Sequence, residues 1–155
     1  MGVEIEKKFL VIGNEWRKAS EGTLYRQGYL KSGQGSTVRV RVAGEKGYLT
    51  IKGAGAGAVR REYEYEIPVA DAGEMLESLC GKPLIEKRRY RIPVGDHVWE
   101  VDEFSGENEG LIIAEVELKN VDEDFLKPRW AGIEVTGDPR YYNASLVDYP
   151  FKKWK

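Results

Sequence analysis

One cysteine and one histidine among 155 residues remove several chemistries at once. Cys80 alone cannot close an internal disulfide, and a single Cys with a single His cannot build a Cys/His zinc site. No apolar run approaches the ~18 residues that a membrane-spanning helix requires, and the mean hydropathy is -0.51. The opening residues lack the charged-then-apolar pattern of an export signal, and Met-Gly at the start lacks the Ser or Thr that a myristoylation site wants at position 6, which is Glu6 here. An excess of one charge is missing too: 24 Lys and Arg face 26 Asp and Glu, for a net charge of -2. A chain gripping nucleic acid by bulk phosphate attraction would be basic. Neither a nucleic-acid nor a membrane partner is therefore expected, and a reducing cytoplasm is the expected compartment.

What is abundant is charge itself. Charged residues make up 32% of the chain, above the ~25% usual in soluble domains. The length suits a single domain spanning 1–155, and the 41% hydrophobic fraction suffices for a core. The dominant sequence period is two. In 3–11, Glu4, Glu6 and Lys8 alternate with Val3, Ile5, Phe9 and Val11, and Arg39 and Arg41 then alternate with Val38, Val40 and Val42. Thr50 and Lys52 oppose Leu49 and Ile51, and Glu62, Glu64 and Glu66 oppose Tyr63, Tyr65 and Ile67. Lys87, Arg89 and Arg91 oppose Arg88, Tyr90 and Ile92; Glu100 and Asp102 oppose Trp99 and Val101; Glu115 and Glu117 oppose Ala114, Val116 and Leu118. With the segment at 25–30, this makes about eight strands, an α+β chain that is mainly β.

Helical signals are fewer. Asp71 with Glu74 reads as an N-cap and its N3 partner, opening a helix with Met75, Leu76 and Leu79 on its apolar face. Asp122 predicts a second short helix through Phe125 and Leu126, ending before Pro128. Asp138 with Pro139 predicts a third, running through Leu146. The GAGAG run at 53–57 reads as a flexible loop; with Ala58 it satisfies a dinucleotide-binding spacing, but a strand follows where that motif needs a helix. His97 reads as a solvated residue of the turn after Gly95-Asp96, and Cys80 as a small buried group. Trp16, Trp99, Trp130 and Trp154 read as packing residues, and FKKWK at 151–155 as a solvated basic tail.

A solvated sheet face usually mixes uncharged polar residues with single charges, whereas these faces are nearly pure Glu, Asp, Lys and Arg, segregated by sign along each strand. Like charges at i and i+2 repel unless cross-strand partners or ligands compensate them. A sheet closed into a barrel turns all these faces inward as a polar channel, although an open half-barrel produces the same alternation. Paired carboxylates suit a hard divalent cation, and clustered Lys and Arg suit phosphate. A polyphosphate arriving with metal ions matches such a lining.

The residues also carry a family resemblance. Glu4-Ile5-Glu6-Lys7-Lys8 matches the E-x-E-x-K signature of the CYTH superfamily, the triphosphate tunnel metalloenzymes. The match continues in order through Tyr25-Arg26-Gln27-Gly28-Tyr29-Leu30, Arg39/Arg41, Leu49-Thr50-Ile51-Lys52, Glu62/Glu64, Glu86-Lys87, Arg89-Tyr90, Trp99-Glu100-Val101-Asp102, Ala114-Glu115-Val116-Glu117, Glu134-Val135-Thr136 and Arg140-Tyr141. The chain is most similar to the small single-domain inorganic triphosphatases of that superfamily. The resemblance implies an eight-stranded antiparallel closed β-barrel, a tunnel with a hydrophilic charged interior and a few helices outside. It also implies hydrolysis of inorganic triphosphate with Mg²⁺ or Mn²⁺, two ions per site. By position, Glu4, Glu6, Glu62, Glu64, Asp102, Glu115 and Glu117 would serve the metal. Lys8, Arg39, Arg41, Lys52, Lys87 and Arg89 would bind phosphate, and Tyr29 would accept the proton, with Lys8 beside it. Thiamine or nucleoside triphosphate hydrolysis, adenylate cyclase chemistry of the CYTH type and a non-catalytic polyphosphate-binding module remain as alternatives. Monomer and homodimer are both left open.

Overall fold

The computed structural model describes residues 3–31, 35–54 and 58–154. Its strands are β1 (Val3–Val11), β2 (Thr23–Leu30), β3 (Thr37–Ala43), β4 (Lys46–Lys52), β5 (Val59–Ile67), β6 (Ile85–Val94), β7 (His97–Phe104), β8 (Ile112–Glu117) and β9 (Ala131–Glu134). They lie in the order β5-β4-β3-β2-β6-β7-β8-β1-β9, and a further antiparallel pairing of β5 with β1 closes the first eight into a barrel. Closure excludes the open half-barrel. Strand β1 is shared: Val3 to Ile5 pair with β5, and beyond the start of β5 its later residues Phe9 and Val11 pair with β9. The ninth strand was not anticipated. Its sequence AGIE has no alternation to follow, and Ile133 is 73% exposed, so the free edge of β1 rather than local pattern makes it a strand.

The apolar faces point out of the barrel. One cluster joins Phe9, Ile92, Trp99, Val101, Ala114 and Val116 from β1, β6, β7 and β8 to Trp16 and Trp130 from the covering segments. Trp99 packs on Phe9, Phe125 and Trp130 at ring separations of 5.4, 5.8 and 5.6 Å. Each large side chain buried this way contributes about 1.5–3 kcal/mol. A second outer cluster lies under helix α1 (Val69–Ser78), where Ala72, Leu76 and Cys80 meet Val40. Gly28 and Gly47 allow that approach. A Cβ on Gly28 would stand 2.7 Å from Leu84 Cδ2 and 2.8 Å from Cys80 Cβ, and one on Gly47 would stand 2.8 Å from Ala72 Cβ.

Four local expectations change. Helix α1 begins at Val69 behind Pro68, two residues before Asp71; Asp71 lies in its first turn, where a carboxylate meets the helix dipole, rather than capping it. Its buried stripe is Ala72 and Leu76, with Leu79 exposed. The segment 122–126 is not helical: Asn120 Oδ1 accepts from Asp122 N at 3.0 Å, turning the chain, and Phe125 inserts against Phe9 and Trp99. His97 is not a solvated turn residue. It opens β7, and its Nε2 lies 2.7 Å from Glu123 Oε2. Asp138 does cap, accepting from Arg140 N at 3.1 Å, but the 3-10 turn Pro139–Tyr141 breaks at Tyr142 before helix α2 (Asn143–Asp148). Cys80 is buried and unpaired, and Trp154 packs on Tyr141 and Phe151 at 5.2 and 5.1 Å. Residues 55–57 of the GAGAG run, Lys155 of the basic tail and the opening Met-Gly lie outside the described residues. No helix among the described residues is long and apolar enough to cross a membrane.

Candidate metal and phosphate site

Because neighbours in register share a face of the sheet, the pairs Lys8↔Glu115, Glu6↔Glu117, Glu100↔Glu115, Arg89↔Asp102 and Lys52↔Glu62 bring the charged series together inside the barrel. They surround a cavity of about 500 Å³. Seven basic side chains (Lys8, Arg39, Arg41, Lys52, Arg60, Lys87, Arg89) and seven acidic ones (Glu4, Glu6, Glu62, Glu64, Glu100, Glu115, Glu117) line it, with Tyr29, Tyr142 and Asn143. Every site residue expected from the sequence is on this wall except Asp102, which lies behind it. Arg91 and Glu66 are exposed, Arg91 holding Glu100 at 2.6 Å.

The interior is not polar throughout. Leu10, Ile85, Phe104 and Ile113 continue the inward faces of β1, β6, β7 and β8, and they cluster with Leu111, Tyr141 and Leu146 of α2. An apolar plug therefore fills one end of the barrel. The segment carrying α2 also brings Tyr142, Asn143, Ala144 and Ser145 to the cavity.

The charges separate into compensated and uncompensated groups. Asp102, 1% exposed, receives Arg89 Nε and Nη2 at 2.7 and 2.8 Å and lies 2.7 Å from Lys87 Nζ. Burial pushes its carboxyl up, but Arg89 and Lys87 outweigh burial and bring it down to about 2. Burial likewise opposes Glu115, yet Lys8 at 2.8 Å and Arg89 at 3.3 Å hold it well below the usual carboxylate range. Glu4, Glu6 and Glu117 are different. Burial, aided by Glu115, pushes Glu6 up to about 8 even with Lys8 nearby. Burial also raises Glu4 against the pull of Lys52 at 3.3 Å, and raises Glu117 together with repulsion from Glu4 and Glu100.

On the basic side, burial, reinforced by Arg89 and Arg41, lowers Lys87 to about 7 despite Asp102. Burial, then Arg39 and Arg89, lower Arg41 to about 10. Among the described residues Arg41 makes no ion pair with a carboxylate; its Nε donates to Gln27 Oε1 at 2.8 Å. Arg60 stacks on Tyr142 at 4.1 Å from ring centroid to Cζ. Glu4, Glu6 and Glu117 are therefore carboxylates short of cations and Arg41 a guanidinium short of an anion, while Arg60 stands in register opposite Glu4. That imbalance is what a cation and a polyanion bound side by side would relieve.

Among the described residues, no three acidic, His or Cys side chains already converge closely enough to cage an ion by themselves. The donor set nevertheless fits a hard cation that takes few protein carboxylates and fills its remaining positions with phosphate oxygens and water. Sequence reasoning did not single out Arg60, Tyr142 or Asn143 as wall residues. Arg60 lies in phase with Glu62 and Glu64, so extending that alternation two residues back finds it; Asn143 and Tyr142 reach the wall only through the path of the segment after β9.

The CYTH domain family model matches residues 2–145. An inorganic triphosphatase of Acetivibrio thermocellus is 57% identical over 155 residues, spanning 100% of this chain and 99% of that protein. An inorganic triphosphatase of Nitrosomonas europaea is 38% identical over 153 residues, spanning 93% of this chain and 96% of that protein. The solved structure of the inorganic triphosphatase NE1496 covers 95% of this chain and 95% of that chain at 34% identity, with a TM-score of 0.64.

Proposed function

The chain belongs to the CYTH domain family, and we propose that it is a single-domain hydrolase that splits inorganic triphosphate into pyrophosphate and phosphate with the help of divalent cations, Mg²⁺ or Mn²⁺ and two per site. The observation that carries this reading is the charge imbalance of the cavity wall: burial holds Glu4, Glu6 and Glu117 above the usual carboxylate range, and among the described residues Arg41 rests on an amide rather than a carboxylate.

Transfer of a terminal phosphoryl group to water requires neutralised phosphate oxygens, an oriented water and a destination for its proton. What the ions supply when bound is charge neutralisation on phosphoryl oxygens and a more acidic water. Glu4, Glu6, Glu115 and Glu117, with Glu62 and Glu64, are the carboxylates proposed to hold them. Lys8, Arg39, Arg41, Lys52, Lys87 and Arg89 hold the triphosphate oxygens, and the guanidiniums do so without first giving up solvation, being buried already. Asp102 supports Lys87 and Arg89 from behind. Tyr29, on the wall beside Arg39 and Gln27, is proposed to take the proton of the attacking water.

The inorganic substrate is favoured over thiamine or nucleoside triphosphate by how little of the wall offers an organic group a surface. Of the two rings there, Tyr142 already carries Arg60, and Tyr29 accepts a hydrogen bond from Gln27 at 3.0 Å. Phosphate release from tripolyphosphate, ATP and thiamine triphosphate, each with Mg²⁺ or Mn²⁺ and each with chelator, tests the reading. Release is expected fastest from tripolyphosphate and abolished by chelator. Tight binding of tripolyphosphate with no release from any of the three would instead make the protein a non-catalytic binder. Tyr29→Phe should lower kcat by roughly 100-fold or more while leaving tripolyphosphate binding in place.

A further inference from the structure

Gln27 is 0% exposed and stands on the inward face of β2 between Tyr25 and Tyr29. Its side-chain amide makes three bonds: Oε1 accepts from Arg41 Nε at 2.8 Å, and Nε2 donates to Tyr29 Oη at 3.0 Å and to Asn143 Oδ1 at 3.3 Å. Chemistry fixes the orientation of both amides. Arg41 can only donate, so the atom facing it must be the Gln27 oxygen. Lys87 Nζ donates to Asn143 Oδ1 at 2.8 Å, so that atom is an oxygen too, and Gln27 must present its NH₂ group to it.

We propose that Gln27 is a positioning residue that fixes the Arg41 guanidinium and the Tyr29 hydroxyl relative to each other and anchors both to Asn143 of the segment covering the cavity. The proposal rests on the cavity being the triphosphate site. Arg41 needs such a partner because no carboxylate among the described residues pairs with it and two further guanidiniums, Arg39 and Arg89, crowd it. Left to itself, a side chain of this length keeps its rotamer freedom and resists being held in one geometry. A neutral amide removes that freedom through Nε while leaving the two terminal NH₂ groups for phosphate, and it does so without placing a negative charge where the substrate would sit. A carboxylate at position 27 would orient Arg41 equally well but would neutralise it. Tyr25 completes the support: its ring lies 4.8 Å from Arg41 Cζ and 4.9 Å from Arg89 Cζ. On the other side of the amide, Tyr29 Oη accepts from Gln27, which fixes the position of that oxygen in the cavity wall.

The test is a double-mutant cycle on tripolyphosphate hydrolysis with Gln27→Leu, Arg41→Ala and the pair. Gln27→Leu is expected to raise KM and lower kcat, with kcat/KM down roughly 10- to 100-fold, as befits a lost hydrogen bond to a charged group. In the Arg41→Ala background the same change should raise KM by less than about threefold, since its target is gone. A folded Gln27→Leu protein with wild-type KM and kcat, or fold-effects that multiply independently in the double mutant, would overturn the proposal. If Gln27→Leu does not fold, Asn143→Ala replaces it in the cycle: coupling of its KM effect to Arg41 supports the relay through Gln27, and independence overturns it. Failure of the functional reading shows itself separately, as no phosphate release by the wild-type protein; an unchanged kcat in Tyr29→Phe would remove the tyrosine's role while the Arg41 cycle still decides that of Gln27.

Discussion

Replacing Asp102 by Asn separates a metal ligand from a support for cations. The family resemblance places this carboxylate with the metal set, whereas the structure buries it against Lys87 and Arg89 at 2.7 Å and off the cavity wall. Two routes give the size of the loss. The carboxyl falls from 3.8 to about 2, so the folded environment favours its charged form by about 2–3 kcal/mol. Removing one partner of a buried ion pair, which strands the other, costs about 3–5 kcal/mol. Asp102→Asn should therefore lower Tm by roughly 5–20 °C at pH 7 in a chain of this length. The pH sign follows from the depressed value: the contribution is present above pH 3.8 and lost as pH falls through about 2, so the gap between variant and wild type should close in acid. Thermal unfolding with and without Mn²⁺, together with a Mn²⁺ titration, reads both quantities. The expected result is a large loss of Tm with Mn²⁺ affinity within about threefold of wild type, because the proposed arrangement has this carboxylate hold Lys87 and Arg89 rather than the ion. An unchanged Tm with affinity down tenfold or more would return Asp102 to the metal set and refute the reasoning.

Glu6 predicts a proton count. With its carboxyl raised to about 8, it is roughly nine-tenths protonated at pH 7, and an ion that needs the carboxylate should release about 0.9 proton there but about 0.1 at pH 9. Calorimetry in buffers of different ionisation enthalpy measures this, and no release at pH 7 would refute it. The same raised value adds stability that is fully present below 4.5 and lost as pH rises through about 8. Glu6→Gln, which keeps a neutral group, should therefore raise the Tm of the ion-free protein at pH 9 relative to wild type; an equal or lower Tm counts against it. Gly28→Ala should cost about 1–3 kcal/mol by overpacking, since its Cβ would meet Leu84 at 2.7 Å and Cys80 at 2.8 Å. Urea unfolding checks this, and an unchanged midpoint would show that α1 can shift away.

Much of the barrel was legible because strand alternation is a strictly local consequence of backbone geometry. Glu4, Glu6 and Lys8 had to share a face, as did Arg39 with Arg41 and Glu115 with Glu117, whatever the rest of the chain did. The plug was legible in principle as well: Leu10, Ile85, Phe104 and Ile113 stand in phase with the charged series and extend it at one end. Strand β9 and the wall residues Tyr142 and Asn143 were not. Their positions follow from an edge of β1 and from the docking of α2, neither of which leaves a period in the sequence. The same holds for His97, whose partner Glu123 comes from a segment that the sequence marks as a helix start and the structure shows as a turn.

The sequence by itself determined which side chains share a face of each strand, because a period of two settles direction within each strand; that Arg60 lines the cavity while Arg91 and Glu66 stay exposed was not settled by it. Only strand register and enclosure in the barrel decided which charges meet and which are cut off from water. They placed Asp102 under Lys87 and Arg89 and Glu115 beside Lys8, and they left Glu6 repelled by a neighbour and Arg41 resting on an uncharged amide. Pairing and desolvation depend on strands distant in the chain, so the same inventory of charges becomes support in one place and binding capacity in another.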